Sequence, residues 1–223
     1  MIEVRNLTIS YGEKTVLNNI SFKWKNGQSY GVYGEHGAGK TVLLDHLAGA
    51  CTCKSGTVLI NGFDLQAEPL KAREFIGYLP QNNALYEQMT PVEYLMYIAD
   101  IKGMGYEKAI RAISGLLDVT GVSPRRDCLI GNLSPFEKKC IGIAQTALGK
   151  SDILIFDDPW KGLSPREMQK TEDLLNYLSE KATLIISGCE KEPLYELCDC
   201  IFLLSDGVLF DMSVQTMEKE EKN

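Results

Sequence analysis

Gly34-Glu35-His36-Gly37-Ala38-Gly39-Lys40-Thr41 is the stretch on which the fold turns. It fits G-x-x-x-x-G-K-[ST], and its setting is the one a phosphate-binding loop requires. The apolar run Tyr30-Gly31-Val32-Tyr33 precedes it as a strand, and Val42-Leu43-Leu44-Asp45-His46-Leu47 follows as a helix. Glycines let the backbone curl so that successive N–H groups point inward at phosphate oxygens. The helix start adds its positive dipole end, Lys40 a point charge, and Thr41 a hydroxyl ligand for Mg²⁺. Nucleotide contacts are therefore expected from Gly34, Glu35, His36, Gly37, Ala38, Gly39, Lys40, Thr41 and Val42. The pattern predicts a nucleoside triphosphate as ligand.

Upstream, alternation over Val4–Ile9, the turn at Gly12-Glu13-Lys14, and a second run from Val16 to Trp24 predict antiparallel strands. Thr57-Val58-Leu59-Ile60 with Asn61-Gly62 adds another strand and turn. Downstream, three segments begin with a side-chain cap, a proline and a glutamate reaching back: Thr90-Pro91-Val92-Glu93, Ser134-Pro135-Phe136-Glu137 and Ser164-Pro165-Arg166-Glu167. Each predicts a helix. Ile153–Phe156 and Thr183–Ile186 read as buried strands, as parallel strands covered on both faces are. A hairpin, Ile201–Leu204 and Val208–Phe210 around Asp206-Gly207, closes the fold, and 214–223 is a charged tail expected to fray.

Composition sets outer bounds. A chain of 223 residues with 44% hydrophobic residues can bury a sizeable core. Its net charge of −7 argues against a nucleic-acid partner. No apolar run approaches the roughly 20 residues that cross a bilayer, and the start lacks a signal peptide's regions. Seven cysteines are an odd count and are expected to be reduced and structural. The pairs Cys51/Cys53 and Cys198/Cys200 would each share one face if they lay on strands. His46 is expected to be a half-exposed surface residue.

Asp157-Asp158, at the end of the apolar run Ile153–Phe156, supply the second half of a nucleotide site. A buried strand can deliver Asp157 to the phosphate side of a sheet, where it can hold Mg²⁺ or its water. With Ile9-Ser10-Tyr11-Gly12, the phosphate loop, Tyr78-Leu79-Pro80-Gln81, Leu133–Glu137 and Cys198-Asp199-Cys200-Ile201 in this order, the chain resembles the nucleotide-binding subunit of ATP-binding cassette (ABC) transporters from about Ile2 to Phe210. The resemblance implies an α/β fold: a P-loop NTPase (RecA-like) core, an antiparallel β lobe, and a helical lobe inserted at about 82–150, all in one ATP-binding domain over 1–223. It implies that Tyr11 stacks on adenine, that Gln81 and Asp157 stand at Mg²⁺ with Thr41, and that Ser134 meets the nucleotide of a second subunit. It also implies Asp158 as the residue polarising the attacking water, with Gln81 beside it.

The chain departs from that family at several points. Asp158 stands where the family has Glu, one methylene longer; a carboxylate about 1 Å short of its water costs on the order of 10²-fold. The switch histidine is missing from Ser187-Gly188-Cys189, and Gly188 has no side chain to offer the γ-phosphate. The signature LSGGQ has become Leu133-Ser134-Pro135-Phe136-Glu137, which loses one phosphate-facing N–H at Pro135. Ser164 replaces a family Asp, and Trp160 a small polar residue.

Hydrolysis is accordingly expected to be slow or partner-dependent, with ATP and Mg²⁺ as ligands. Two functions stay open. One is the ATP-binding subunit of an ABC transporter, cytoplasmic and peripheral on the inner face of the membrane. It would work as a homodimer or as a heterodimer with another ATP-binding subunit, docked on a transmembrane permease. The other is a soluble regulatory module whose ATP-dependent dimerisation controls a partner. A P-loop small-molecule kinase shares the loop but predicts neither Gln81 nor the Leu133-Ser134 helix start.

Overall fold

The computed structural model describes residues 1–53 and 55–212, so the charged tail expected over 214–223 lies outside the described residues. The first layer is an antiparallel sheet, ordered β2-β1-β4-β5, of β1 (Ile2–Tyr11), β2 (Lys14–Trp24), β4 (Thr57–Ile60) and β5 (Phe63–Asp64). The second sheet has the order β10-β9-β3-β8-β7-β6. It holds β3 (Ser29–Tyr33), β6 (Ile76–Leu79), β7 (Ile153–Asp157), β8 (Thr183–Gly188), β9 (Cys200–Ser205) and β10 (Val208–Asp211). Its strands run parallel apart from edge strand β10, which turns back on β9. The turn between them, Asp206 at φ 50° and Gly207 at φ 75°, is of the primed kind that matches strand twist.

Burial follows from this layering. β7 and β8 are buried at every position, as apolar runs such as Ile153–Phe156 and Leu184–Ile186 require. One face of the parallel sheet packs with α1 (Lys40–Leu47) and the antiparallel sheet, where Trp24 stacks on Tyr30 at 4.7 Å. The other face is covered by α5 (Pro135–Ala147), α6 (Pro165–Ser179) and α7 (Glu192–Leu197). A third cluster, around Tyr94, Leu95, Ile113, Leu117 and Ile141, joins α3 (Pro91–Ile101) and α4 (Tyr106–Val119) to α5. The short helix α2 (Pro69–Arg73) precedes β6.

All three helices expected from a cap, a proline and a glutamate form where their caps stand. Thr90 and Ser134 each accept from the N–H of the glutamate three residues on, and Glu93 and Glu137 accept from the cap N–H in return. At Ser164 both the N–H and the hydroxyl donate to Glu167.

Two expectations need correction. His46 is 4% exposed rather than half-exposed. Its Nδ1 lies 2.7 Å from the Val42 carbonyl one turn back, so the ring is folded against its own helix. Nor do the cysteine pairs share strand faces: Cys51 and Cys53 lie in the segment after α1, and Cys198 ends α7 before β9 begins at Cys200. Apolar packing of α7 decides the second case, since Leu194 and Leu197 are buried there.

Candidate functional site

The site sits at the carboxyl ends of β3, β8 and β7, where open α/β sheets place ligands. Register brings the pieces together: Ser187 on β8 pairs with Val32 of β3 on one side and Asp157 of β7 on the other. β3 then runs into Gly34–Gly39, and α1 begins at Lys40. Gly39 has φ 102°, and a Cβ there would come within 2.9 Å of the Val16 side chain, so only glycine serves. Position 39 also gives α1 no side-chain cap, leaving the first N–H groups of the helix directed at the loop's mouth.

Lys40 is 8% exposed, and its ammonium donates to the carbonyls of Gly34 at 2.7 Å and Glu35 at 2.9 Å. The same Nζ lies 3.2 Å from Cys189 Sγ. Thr41 donates its hydroxyl to Asp157 Oδ2 at 2.7 Å, and Ser187 donates to Asp157 Oδ1 at 2.6 Å. With 1% exposure, Asp157 is buried, and among the described residues its side-chain hydrogen bonds come from these two hydroxyls. Next to it Asp158 takes φ 50°, a left-handed backbone uncommon outside glycine. Its N–H donates to Ser187 Oγ and its Oδ2 accepts from Gln81 Nε2 at 3.2 Å. The predicted Lys40, Thr41, Asp157, Asp158 and Gln81 thus meet at one place.

Other residues stand apart. Tyr11 is 57% exposed at the tip of the β1–β2 hairpin. Ser134 makes its hydrogen bonds with Glu137, and among the described residues none links it to the loop. Glu35, His36 and Gly37 are exposed, whereas Val42 is partly buried on the core side of α1.

Gly188 is the position that the structure corrects. A Cβ on it would point at Leu194 and Trp160, both 3.5 Å away, and not at the phosphate loop. The residue that faces Lys40 and His36 is Cys189. Strand alternation explains this: Ser187 faces Asp157, Gly188 the α7 side, and Cys189 the loop again. Sequence reading also missed Ser187, whose only signal is its place at the end of an apolar strand beside a phosphate loop. Lys139 of α5 was missed too. Burial lowers its pKa, and the charges of Asp158 and Asp157 oppose that lowering.

A strand, a glycine loop, an uncapped helix start and a strand-end carboxylate bound to the loop's threonine define a P-loop nucleotide-binding protein. Residues 17–161 match the family model described as ABC transporter. The linearmycin resistance ATP-binding protein LnrL of Bacillus subtilis is 30% identical over 217 residues, spanning 97% of this chain and 70% of that protein. The Nod factor export ATP-binding protein I of Burkholderia orbicola is 30% identical over 92% of this chain and 68% of its own length. Among solved structures, an ATP-binding subunit of an ABC transporter superposes with a TM-score of 0.88 at 24% identity, covering 100% of this chain and 93% of that one. A bacterial ABC transporter cassette solved as a dimer gives 0.84 at 22% identity, covering 94% and 96%. This chain belongs to the ABC transporter family, among its ATP-binding subunits.

Proposed function

We propose that the chain binds Mg·ATP between the loop Gly34–Val42 and Asp157, pairs with a second ATP-binding subunit, and couples to a membrane permease while hydrolysing ATP slowly. The observation that carries this is the cluster of Lys40, Thr41 and Asp157 at the uncapped start of α1. Its donor set suits the ligand. Two backbone carbonyls orient the ammonium, the helix start offers free N–H groups, and hydroxyl and carboxylate oxygens suit a hard cation. Among the described residues no three His, Cys, Asp or Glu side chains gather to hold a metal. A cation here would therefore be completed by phosphate oxygens, as Mg²⁺ in nucleotide sites is. When bound, Mg²⁺ neutralises charge between the phosphates. Tyr11 would face adenine, and Ser134 the nucleotide of the second subunit.

Slow turnover is supported by three features. Asp158 is short, its carboxylate is tied to Gln81, and Cys189 stands opposite Lys40. Subunit pairing is supported by the dimeric cassette among the neighbours, and permease coupling by the export role in a relative's name. Coupling would be peripheral, on the cytoplasmic face; among the described residues no helix is long and apolar enough to cross a membrane.

The deciding experiment is ATP titration with and without Mg²⁺. Lys40→Ala should weaken binding by about tenfold or more, equal to ~1.4 kcal/mol. Turnover of the wild type should be slow, and Asp158→Glu combined with Cys189→His should raise it by on the order of 10²-fold. Brisk wild-type turnover left unchanged by Asp158→Asn would overturn the slow-hydrolysis reading.

A further inference from the structure

Beside the phosphate loop stands a thiol that nucleotide binding does not require. Cys189 Sγ lies 3.2 Å from the Lys40 ammonium and 3.5 Å from His36 Nδ1. The cysteine is partly exposed. With His36 it lines a cavity of about 290 Å³ that also includes Asp158, Lys161 and Trp160. The Cys189 sulfur therefore has a base within reach of its proton and the Lys40 ammonium beside it, and it borders a cavity with room for an adduct.

That combination separates Cys189 from Cys51, Cys53, Cys140 and Cys198. Thiolate is the attacking species in disulfide exchange, so a base placed to take the thiol proton favours attack. Cys140 and Cys198 have the opposite setting, since burial pushes both thiols up to about 12. Cys53 is buried and also pushed up. Cys51 is exposed, yet among the described residues it has no hydrogen bond to a base or cation.

We propose that Cys189 is a modification site that takes a low-molecular-weight disulfide of the glutathione class, and that the resulting mixed disulfide closes the ATP site. The thiol proton passes to His36 Nδ1, and the Cys189 thiolate attacks one sulfur of the disulfide. A new S–S bond forms as the old one breaks, and its electron pair leaves on the departing thiolate, which takes up a proton. Cys189 is oxidised and the departing half is reduced. The adduct fills the cavity and stands between Lys40 and any incoming phosphate. Excess thiol reverses the step. The blocking half of the proposal rests on ATP binding at Lys40.

The test treats the full chain with oxidised glutathione, maps adducts by mass spectrometry over time, and titrates ATP before and after. The expected results are an adduct at Cys189 several-fold faster than at Cys51, slowed by His36→Ala and by prior ATP. ATP affinity should fall by about tenfold or more and recover with dithiothreitol. In Cys189→Ser, exposure to oxidised glutathione should leave ATP affinity where it was before exposure. Reaction at Cys189 no faster than at Cys51 would overturn the proposal, and so would full modification with ATP affinity unchanged. An unmodified protein that does not bind ATP would instead refute the function proposed above, and the rate comparison would still decide the thiol chemistry.

Discussion

Ser187 shows how much of the site rests on one small side chain. It is 0% exposed, donates to Asp157 Oδ1, and accepts from the N–H of Asp158. Ser187→Ala leaves both groups short of a partner in a buried setting, and a stranded polar group costs about 1–3 kcal/mol. Urea unfolding should show that loss at an unchanged m-value. Positions 188 and 189 give a second residue-scale prediction. Gly188→His would push a ring against Leu194 and Trp160, destabilise the protein by about 1–3 kcal/mol and leave turnover unchanged, whereas Cys189→His would present its ring to Lys40. Steady-state assays of the two single variants in the Asp158→Glu background separate these outcomes.

At the scale of elements, caps did what their spacing promised. Pro at the first helical position, with Thr or Ser before it and Glu after, marks three helix starts, and all three appear. Glu137 illustrates the energetics. Its pKa is lowered first by the hydrogen bond from the Ser134 backbone, against a desolvation effect that raises it, with further lowering from the Ser134 side chain and Arg125. A carboxyl whose folded pKa lies below its unfolded one contributes stability fully above the unfolded value. That contribution is lost as pH falls through the folded value. Glu137→Gln should therefore cost about 0.5–1 kcal/mol near neutrality, and the gap to wild type should close below the usual carboxylate range of about 4.3. Thermal melts across that window check the sign. Sequence reading left α2, β5, β6 and α7 unnamed, and periodicity has little to work on over six residues or fewer. It also left α4 unnamed, although Ala109, Ile113 and Leu117 recur there at helical spacing and are buried.

For the molecule as a whole, close approach between layers sets the tolerance. β6 lies against α5 so tightly that a Cβ on Gly77 would run into the Thr146 carbonyl oxygen. Backbone cannot swing aside as a side chain can, so Gly77→Ala should force strand and helix apart at a cost of about 3 kcal/mol. Because β6 leads through Leu79 and Pro80 to Gln81, the same variant should also weaken the contact of Gln81 with Asp158. A drop in melting temperature together with altered turnover would bear this out, while a neutral effect on both would contradict the packing.

Much of this was legible in the chain itself. The phosphate loop, the buried strands and the capped helices are local patterns, written in residues that neighbour one another, and local sterics and hydrogen bonding suffice to read them. Lys40, Thr41 and Asp157 follow from those patterns, because strand-end and helix-start positions are local facts. Tertiary structure alone decided which side chains from distant segments meet. Strand pairing put Ser187 between Val32 and Asp157 and turned Cys189 rather than Gly188 toward Lys40, while packing of α1 buried His46 against its own helix. The reason is physical: register and side-chain direction are set by how separate strands pack against shared helices, and a shift of one residue reverses the face a side chain takes.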